Sequence, residues 1–244
     1  ATIGAISGIG GGVIIKPVLD AVSGFPVTHI SFMSSCTVLA MTSVSLLRSK
    51  KRGVKTDKKR GTPLAIGAAI GGILGKQAFS MIASDITGNF IEQVQSVLLA
   101  ALCILVFIYT IVKEKIQRHD VKNPISCFIL GILLGSMSSF LGIGGGPIDV
   151  MAISFFLSMD SKTTAVHSLY VIFFSQLFSI MLSIVTGTIP AIDIPSLILM
   201  IIGGVGGAFI GSALSRRMSN KHVDKVFMVV LAVVVGISAY NFFV

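Results

Sequence analysis

The chain has 244 residues, 53% of them hydrophobic and 12% charged, with a formal net charge of +9. Soluble domains carry about 25% charged residues, so this composition argues against a secreted or cytosolic enzyme and against nucleic-acid binding. Together with a mean hydropathy of +0.94, it points to an integral membrane protein.

Taken in chain order, residues 1–22 form an apolar region broken by Gly8-Ile9-Gly10-Gly11-Gly12, with Lys16 four residues beyond. Segment 28–48 is long enough to span a bilayer. It carries Thr28, Ser31, Ser35, Thr42 and Ser45, with Ser49 just beyond, at near-helical spacing. The loop 48–60 is dense in Lys and Arg, including Arg52, Lys55 and Arg60. Span 62–84 repeats glycine at Gly67, Gly71 and Gly75 and contains Lys76. Segment 85–92 has Asp85 and Glu92 without Lys or Arg, and span 92–112 is almost entirely apolar. The basic loop 113–122 follows, with Lys113, Lys115, Arg118 and Lys122.

Region 124–158 is too long for one crossing and contains Gly142-Ile143-Gly144-Gly145-Gly146-Pro147, which a continuous helix tolerates badly. It reads as two arms, 124–141 and 147–158. Span 163–186 carries Thr164, His167, Ser168, Ser175, Gln176, Ser179 and Ser183. The loop 187–195 has only Asp193 as a charge, span 194–215 repeats Gly203, Gly207 and Gly211, and basic loop 216–222 leads to span 223–243. The cysteines Cys36, Cys103 and Cys127 lie in apolar stretches. No metal-ligand spacing accompanies them, so neither a disulfide framework nor a metal site is expected.

The positive-inside rule puts loops 48–60, 113–122 and 216–222 in the cytoplasm and the acidic loops outside. Region 124–158 must then begin and end on the same side, as a hairpin turning at its glycines. The first glycine run recurs 134 residues later, and Gly67, Gly71 and Gly75 recur 136 residues later. Each half is a hairpin plus three spans, an odd number of segments, so the halves are expected to be inverted. The expected fold is an all-α polytopic membrane protein of two inverted repeats, 1–116 and 124–244, joined by a cytoplasmic connector, 117–123. Each repeat is a broken glycine-rich hairpin followed by three transmembrane helices, as in many secondary transporters. The first hairpin arm is about ten residues short of a span, which reads as a missing N-terminal stretch or a shortened arm.

Two GIGGG copies about 130 residues apart in a basic-loop membrane protein of this size resemble the TauE/SafE sulfite exporter family, also called the 4-toluene sulfonate uptake permease family. The resemblance implies movement of small sulfur-containing anions such as sulfite, sulfonates or sulfoacetate across the cell (inner) membrane.

The residues themselves suggest how. Glycine runs free backbone N–H groups, and a helix starting there presents a partial positive charge to an anion. The expected substrate-binding residues are Gly8, Gly10, Gly11, Gly12, Lys16, Ser31, Ser35, Gly142, Gly144, Gly145, Gly146, Ser168, Ser175 and Gln176. Close helix packing is the alternative reading of the glycines, and helix–helix hydrogen bonding that of the hydroxyls. Asp149 and His167 are candidates for proton coupling. Lys16 and Asp149, of opposite charge at near-symmetric places, could instead pair with each other.

The expected activity is proton-coupled secondary transport by alternating access. An uncoupled anion channel of the same fold is the alternative. HExxH, GxSxG and P-loop signatures are all missing, so neither an enzyme nor a cofactor is expected. A homodimer is left open.

Overall fold

The computed structural model describes residues 1–22, 25–51, 57–85, 90–113, 115–117, 119–190 and 192–243. The topology charges Arg52, Lys55 and Arg118 lie outside the described residues, as do the side chains of Asp85 and Glu92. Ten helices make up the described chain: α1 (Thr2–Ser7), α2 (Gly12–Val22), α3 (Val27–Lys51), α4 (Lys58–Asp85), α5 (Phe90–Val112), α6 (Pro124–Leu141), α7 (Gly146–Phe156), α8 (Ser161–Val185), α9 (Ile194–Arg217) and α10 (Asn220–Phe243). Seven of them, α3–α6 and α8–α10, are long and apolar enough to cross a membrane. The chain is an all-α polytopic membrane protein. α7, at 11 residues, is about 16 Å long and reaches only about half of a bilayer core.

Local sequence sets the helix boundaries. Asn123 accepts from the Ile125 N–H with Pro124 in the first turn of α6, and Asp193 does the same for α9 through Ser196 with Pro195 beside it. Both combine a polar N-cap with a proline that needs no N–H partner. α1 and α6 each stop at a left-handed glycine, Gly8 and Gly142, as helix C-termini often do. Pro147 lies in the first turn of α7, as expected of a helix restarting after the glycines.

Packing partners recur between the halves. α6 lies on α4 and α1 on α9, α8 on α4 and α3 on α9, and α7 on α5 and α2 on α10. The central pairs are α3 with α8 and α5 with α10. The seam between α4 and α6 is made by glycine on both sides. A methyl group at Gly67, Gly71 or Gly75 would run into the carbonyl of Phe128, Ile132 or Ser136, and one at Gly131 or Gly135 into that of Leu64 or Ala68. The second glycine stripe packs only in part. Gly207 and Gly211 meet Ala1 and Thr2, whereas Gly203 faces open space.

The hairpin expectation for 124–158 has a direct geometric counterpart. The His119 and Val121 N–H groups, just before α6, donate to the carbonyls of Phe155 and Phe156 at the end of α7. The two ends of the hairpin therefore sit side by side. Arg60, at the start of α4, pairs with Asp57 and with Asp120 at 2.7 Å, and also donates to the Leu157 carbonyl. Lys113, just after α5, pairs with Asp224 near the start of α10. The start of α4, the connector, the end of α7 and the start of α10 thus share one end of the molecule, here called the basic end. α5 and α10, from the nearly all-apolar spans, expose one face, with Ile104, Ile108 and Val233. Their other face forms a core around the hairpins.

Two measurements test this packing. Gly71→Ala is expected to cost about 1–3 kcal/mol by overpacking the seam, and Gly203→Ala to be neutral or stabilising by up to about 1 kcal/mol. Thermal unfolding in detergent compares them, and equal melting temperatures would contradict the seam. Hydrogen bonds from Lys122 and Arg60 hold the Asp120 carboxyl below its ordinary 3.8. The folded state therefore favours the ionised form. Its contribution is present above pH about 4 and is lost as pH falls through the lowered value. A carbon-13 titration of Asp120 is expected to give a midpoint below 3.8 that returns toward it in Arg60→Gln.

Candidate functional site

The two glycine turns meet at the centre of the molecule. A methyl group on Gly12 would strike the Ile143 carbonyl, and one on Gly146 would strike the Ile9 carbonyl. The contact is reciprocal, each turn laying its isoleucine carbonyl against the glycine that begins the other arm. Ile9 and Ile143 point into the apolar core formed with Leu99, Cys103, Val230 and Leu231 of α5 and α10. On the opposite side, Gly10 and Gly144 both face Val38 of α3 and Ile172 of α8. The turns are thus held between α5 and α10 on one side and α3 and α8 on the other.

Their backbone repeats as their sequence does. Gly8 and Gly142 have φ of 79° and 64°, and Gly10 and Gly144 have 80° and 88°. These are left-handed values that side chains disfavour. Gly145 also has positive φ, at 63°. Helical bonding in α7 begins with the Asp149 N–H to the Gly145 carbonyl, so the Gly146 and Ile148 N–H groups precede any intrahelical acceptor. The turns carry the backbone features of an anion cradle, but apolar side chains and the opposite turn cover them in this conformation.

The serine expectations divide between the two helices. On α3, Ser31, Ser35, Thr42 and Ser45 are buried while Thr28 is exposed. Ser35 donates to the Ser31 carbonyl of its own helix, and the Ser31 hydroxyl, packed on Gly142, has no partner. On α8 the hydroxyls of Ser168 and Ser175 reach other elements, whereas Ser183 donates to the Ser179 carbonyl of its own helix. Ser168 donates to the Gly8 carbonyl at 2.8 Å, and Ser175 to the Gly135 carbonyl at 3.0 Å. Gln176 donates over long distances to Ser138, leaving its own carbonyl oxygen unpartnered. Gly11 lies against Met41.

The ionisable residues do not pair as one reading supposed. Lys16 does not meet Asp149. It bonds Asp20 on the next turn of α2 at 2.8 Å, both side chains being 3% exposed. Asp149 is wholly buried, with both carboxylate oxygens unpartnered. His167 is also fully buried. Its Nδ1 lies 3.0 Å from the Thr163 carbonyl and must donate to it, while Nε2 has no partner among the described residues. Lys76 rests over the Phe79 ring.

Asp20 was missed by sequence reasoning, although an opposite charge four residues from Lys16 on one helix face was the available signal. Also missed was a narrow cleft of about 20 Å³ at the basic end, whose polar lining residues include Ser7, Tyr109, Lys113, Ser154, Ser161 and Asp224. Those residues come from five elements and share no local pattern. Ser7 connects the cleft to the glycine turn that starts at the next residue.

The chain matches the family described as Sulfite exporter TauE/SafE over residues 1–238. It is 22% identical over 259 residues to a protein of Bacillus subtilis (strain 168) named "Probable membrane transporter protein YunE", covering 96% of this chain and 91% of that relative. No solved structure matches it. With a family match that runs through both glycine turns and all ten helices, the chain belongs to the TauE/SafE sulfite exporter family.

Proposed function

We propose that this membrane transporter moves a small sulfur-containing anion, such as sulfite, a sulfonate or sulfoacetate, by proton-coupled alternating access between two inverted halves, 1–116 and 124–244. The observation that carries this reading is the pair of glycine turns in reciprocal contact, each starting a half-length helix at the junction of the halves. Helix N-termini of this kind favour anions without committing a full charge to the site. The basic end is cytoplasmic on this reading, by the positive-inside rule.

The covered state of the turns fits one stage of such a cycle. Substrate access to Gly10 and Gly144 requires Val38 and Ile172 to withdraw, and both belong to the central pair α3 and α8. Movement of that pair would open the turns to one side at a time. Ser31 and Gln176 supply unpartnered polar atoms near this path, and Ser168 ties α8 to the first turn. Asp149 supports the proton half of the proposal. A carboxylate without a partner is costly at this depth, and taking up a proton removes that cost.

Flux into proteoliposomes tests the reading with sulfite, thiosulfate, sulfoacetate and taurine, each with and without a pH gradient. Accumulation above equilibrium is expected only with the gradient. Asp149→Asn is expected to abolish that dependence while leaving downhill exchange in place. Currents through single open molecules, with no accumulation, would instead fit the uncoupled channel, and no flux of any anion would overturn the transport proposal. Gly144→Ala is expected to slow flux by about five- to thirtyfold, since a side chain in the left-handed region costs about 1–2 kcal/mol.

Lys16 needs a paired test because its charge also holds the fold. Lys16→Ala strands Asp20 and is expected to cost about 3–5 kcal/mol, seen as loss of folded protein. Lys16→Met with Asp20→Leu removes both charges and is expected to restore folded protein. Unchanged flux by this double variant would remove Lys16 from the substrate path.

A further inference from the structure

The cleft at the basic end has the donors of an anion site and one group that competes for them. Lys113 Nζ pairs with Asp224 and lies 3.4 Å from the Ser161 hydroxyl oxygen. An ammonium group has three N–H donors, so one is left over among the described contacts. The hydroxyl hydrogens of Ser7, Thr110 and Thr164 are taken by backbone carbonyls of Ile3, Val106 and Met159. Those of Ser161 and Ser154 are not. Ser161 accepts from Lys113, and Ser154 accepts a long contact of 3.5 Å from the Tyr109 hydroxyl. The cleft therefore offers one cation and two free hydroxyl donors, with Asp224 as its one lining carboxylate.

Its size sets the class of ligand. At about 20 Å³ it holds about one water as it stands, so even a small oxyanion must part the ion pair to settle. Comparison with the other half sharpens this. Val150 and Ser154 of α7 line the cleft, and the residues 134 positions earlier are Lys16 and Asp20. On α2 those two positions close on each other as a buried ion pair. On α7 they leave an open wall, and the cation comes from another helix end.

We propose that Lys113, Ser154 and Ser161 form a docking subsite for a small oxyanion at the basic end, and that Asp224 is the carboxylate the anion displaces from Lys113. The proposal rests on the anion-transport reading above and gives it a first station. The displaced carboxylate turns toward solvent, to which its side chain is already 23% exposed.

Isothermal titration of the purified full chain in detergent tests it, with sulfite and methanesulfonate as probes and chloride as the control. Lys113→Met is expected to weaken binding at least about tenfold, as loss of a charged donor does. Lys113→Arg is expected to retain it. Asp224→Asn is expected to tighten binding severalfold, because the competing carboxylate is gone. These opposite directions distinguish the subsite from a merely structural ion pair, whose two neutralisations would act alike. Monodisperse elution of each variant shows that it has folded, and the gain in Asp224→Asn cannot arise from misfolding. Binding that is unchanged in both neutral variants, or weakened in both, overturns the subsite while leaving transport standing if flux persists. If the unaltered protein binds neither anion and carries no flux, both proposals fall.

Discussion

The architecture depends on the approach of two backbones where only glycine fits. Gly12 lies against the Ile143 carbonyl and Gly146 against the Ile9 carbonyl. A single β-carbon on either glycine would separate the turns. The constraint spreads outward from there. Ile9 and Ile143 are driven into the core between α5 and α10, which fixes the turns from behind. Gly8 packs on Ala165 of α8, and Gly142 on Ser31 of α3. Each turn is thus clamped by a long helix from outside its own hairpin, α8 for the first and α3 for the second. Close approach and helix breaking are often weighed as rival explanations of glycine in a membrane helix. Here one short run does both, Gly8 and Gly142 stopping α1 and α6 in the left-handed region while Gly12 and Gly146 let the opposite carbonyls approach.

The polar groups inside the bundle follow a division of labour set by where α3 and α8 lie. Serine and threonine in a helix can return their hydrogen bond to their own backbone. On α3, Ser35, Thr37 and Thr42 do so. On α8 the hydroxyls of Ser168 and Ser175 instead bridge to the first turn and to α6. Ser179 does likewise through Ser139. α8 is therefore the helix that ties the parts together, and α3 presents the looser face, with Ser31, Ser34 and Ser45 unpartnered. A conformational step that moves α3 breaks fewer inter-element hydrogen bonds than one that moves α8.

Much of this was legible in the sequence because it depends on spacing. The helix limits follow from apolar length, proline and capping residues, and the hairpin at 124–158 follows from charge asymmetry across its flanks. The glycine runs announced themselves by repetition. What escaped was partner identity. Lys16 and Asp149 looked like a pair because they occupy nearly equivalent places in the two halves. Equivalence by symmetry does not imply contact, and the nearer Asp20 was one helical turn away. The second glycine stripe looked like a full copy of the first, yet Gly203 has no neighbour to pack on. The basic-end cleft was beyond reach for a different reason. Its residues are ordinary in their own segments and acquire meaning only when five elements converge.

The distribution of charge bears on how an anion could pass without being trapped. A site that binds too strongly holds its ion, and conduction needs binding weak enough for release. At the glycine turns the groups next to the backbone include Val38, Ile172, Ala165 and Ser31, so on the transport reading attraction there comes from peptide dipoles and hydroxyls. Two of the cations are neutralised locally, Lys16 by Asp20 and Lys113 by Asp224. On the transport reading, an anion gains a cation only by displacing that cation's carboxylate, so the net attraction at each station is a difference between two ion pairs. Such a difference is small compared with either pair alone. That suits stepwise movement, and it leaves Asp149, which has no cation beside it among the described residues, as a buried acid whose charge must be balanced by other means.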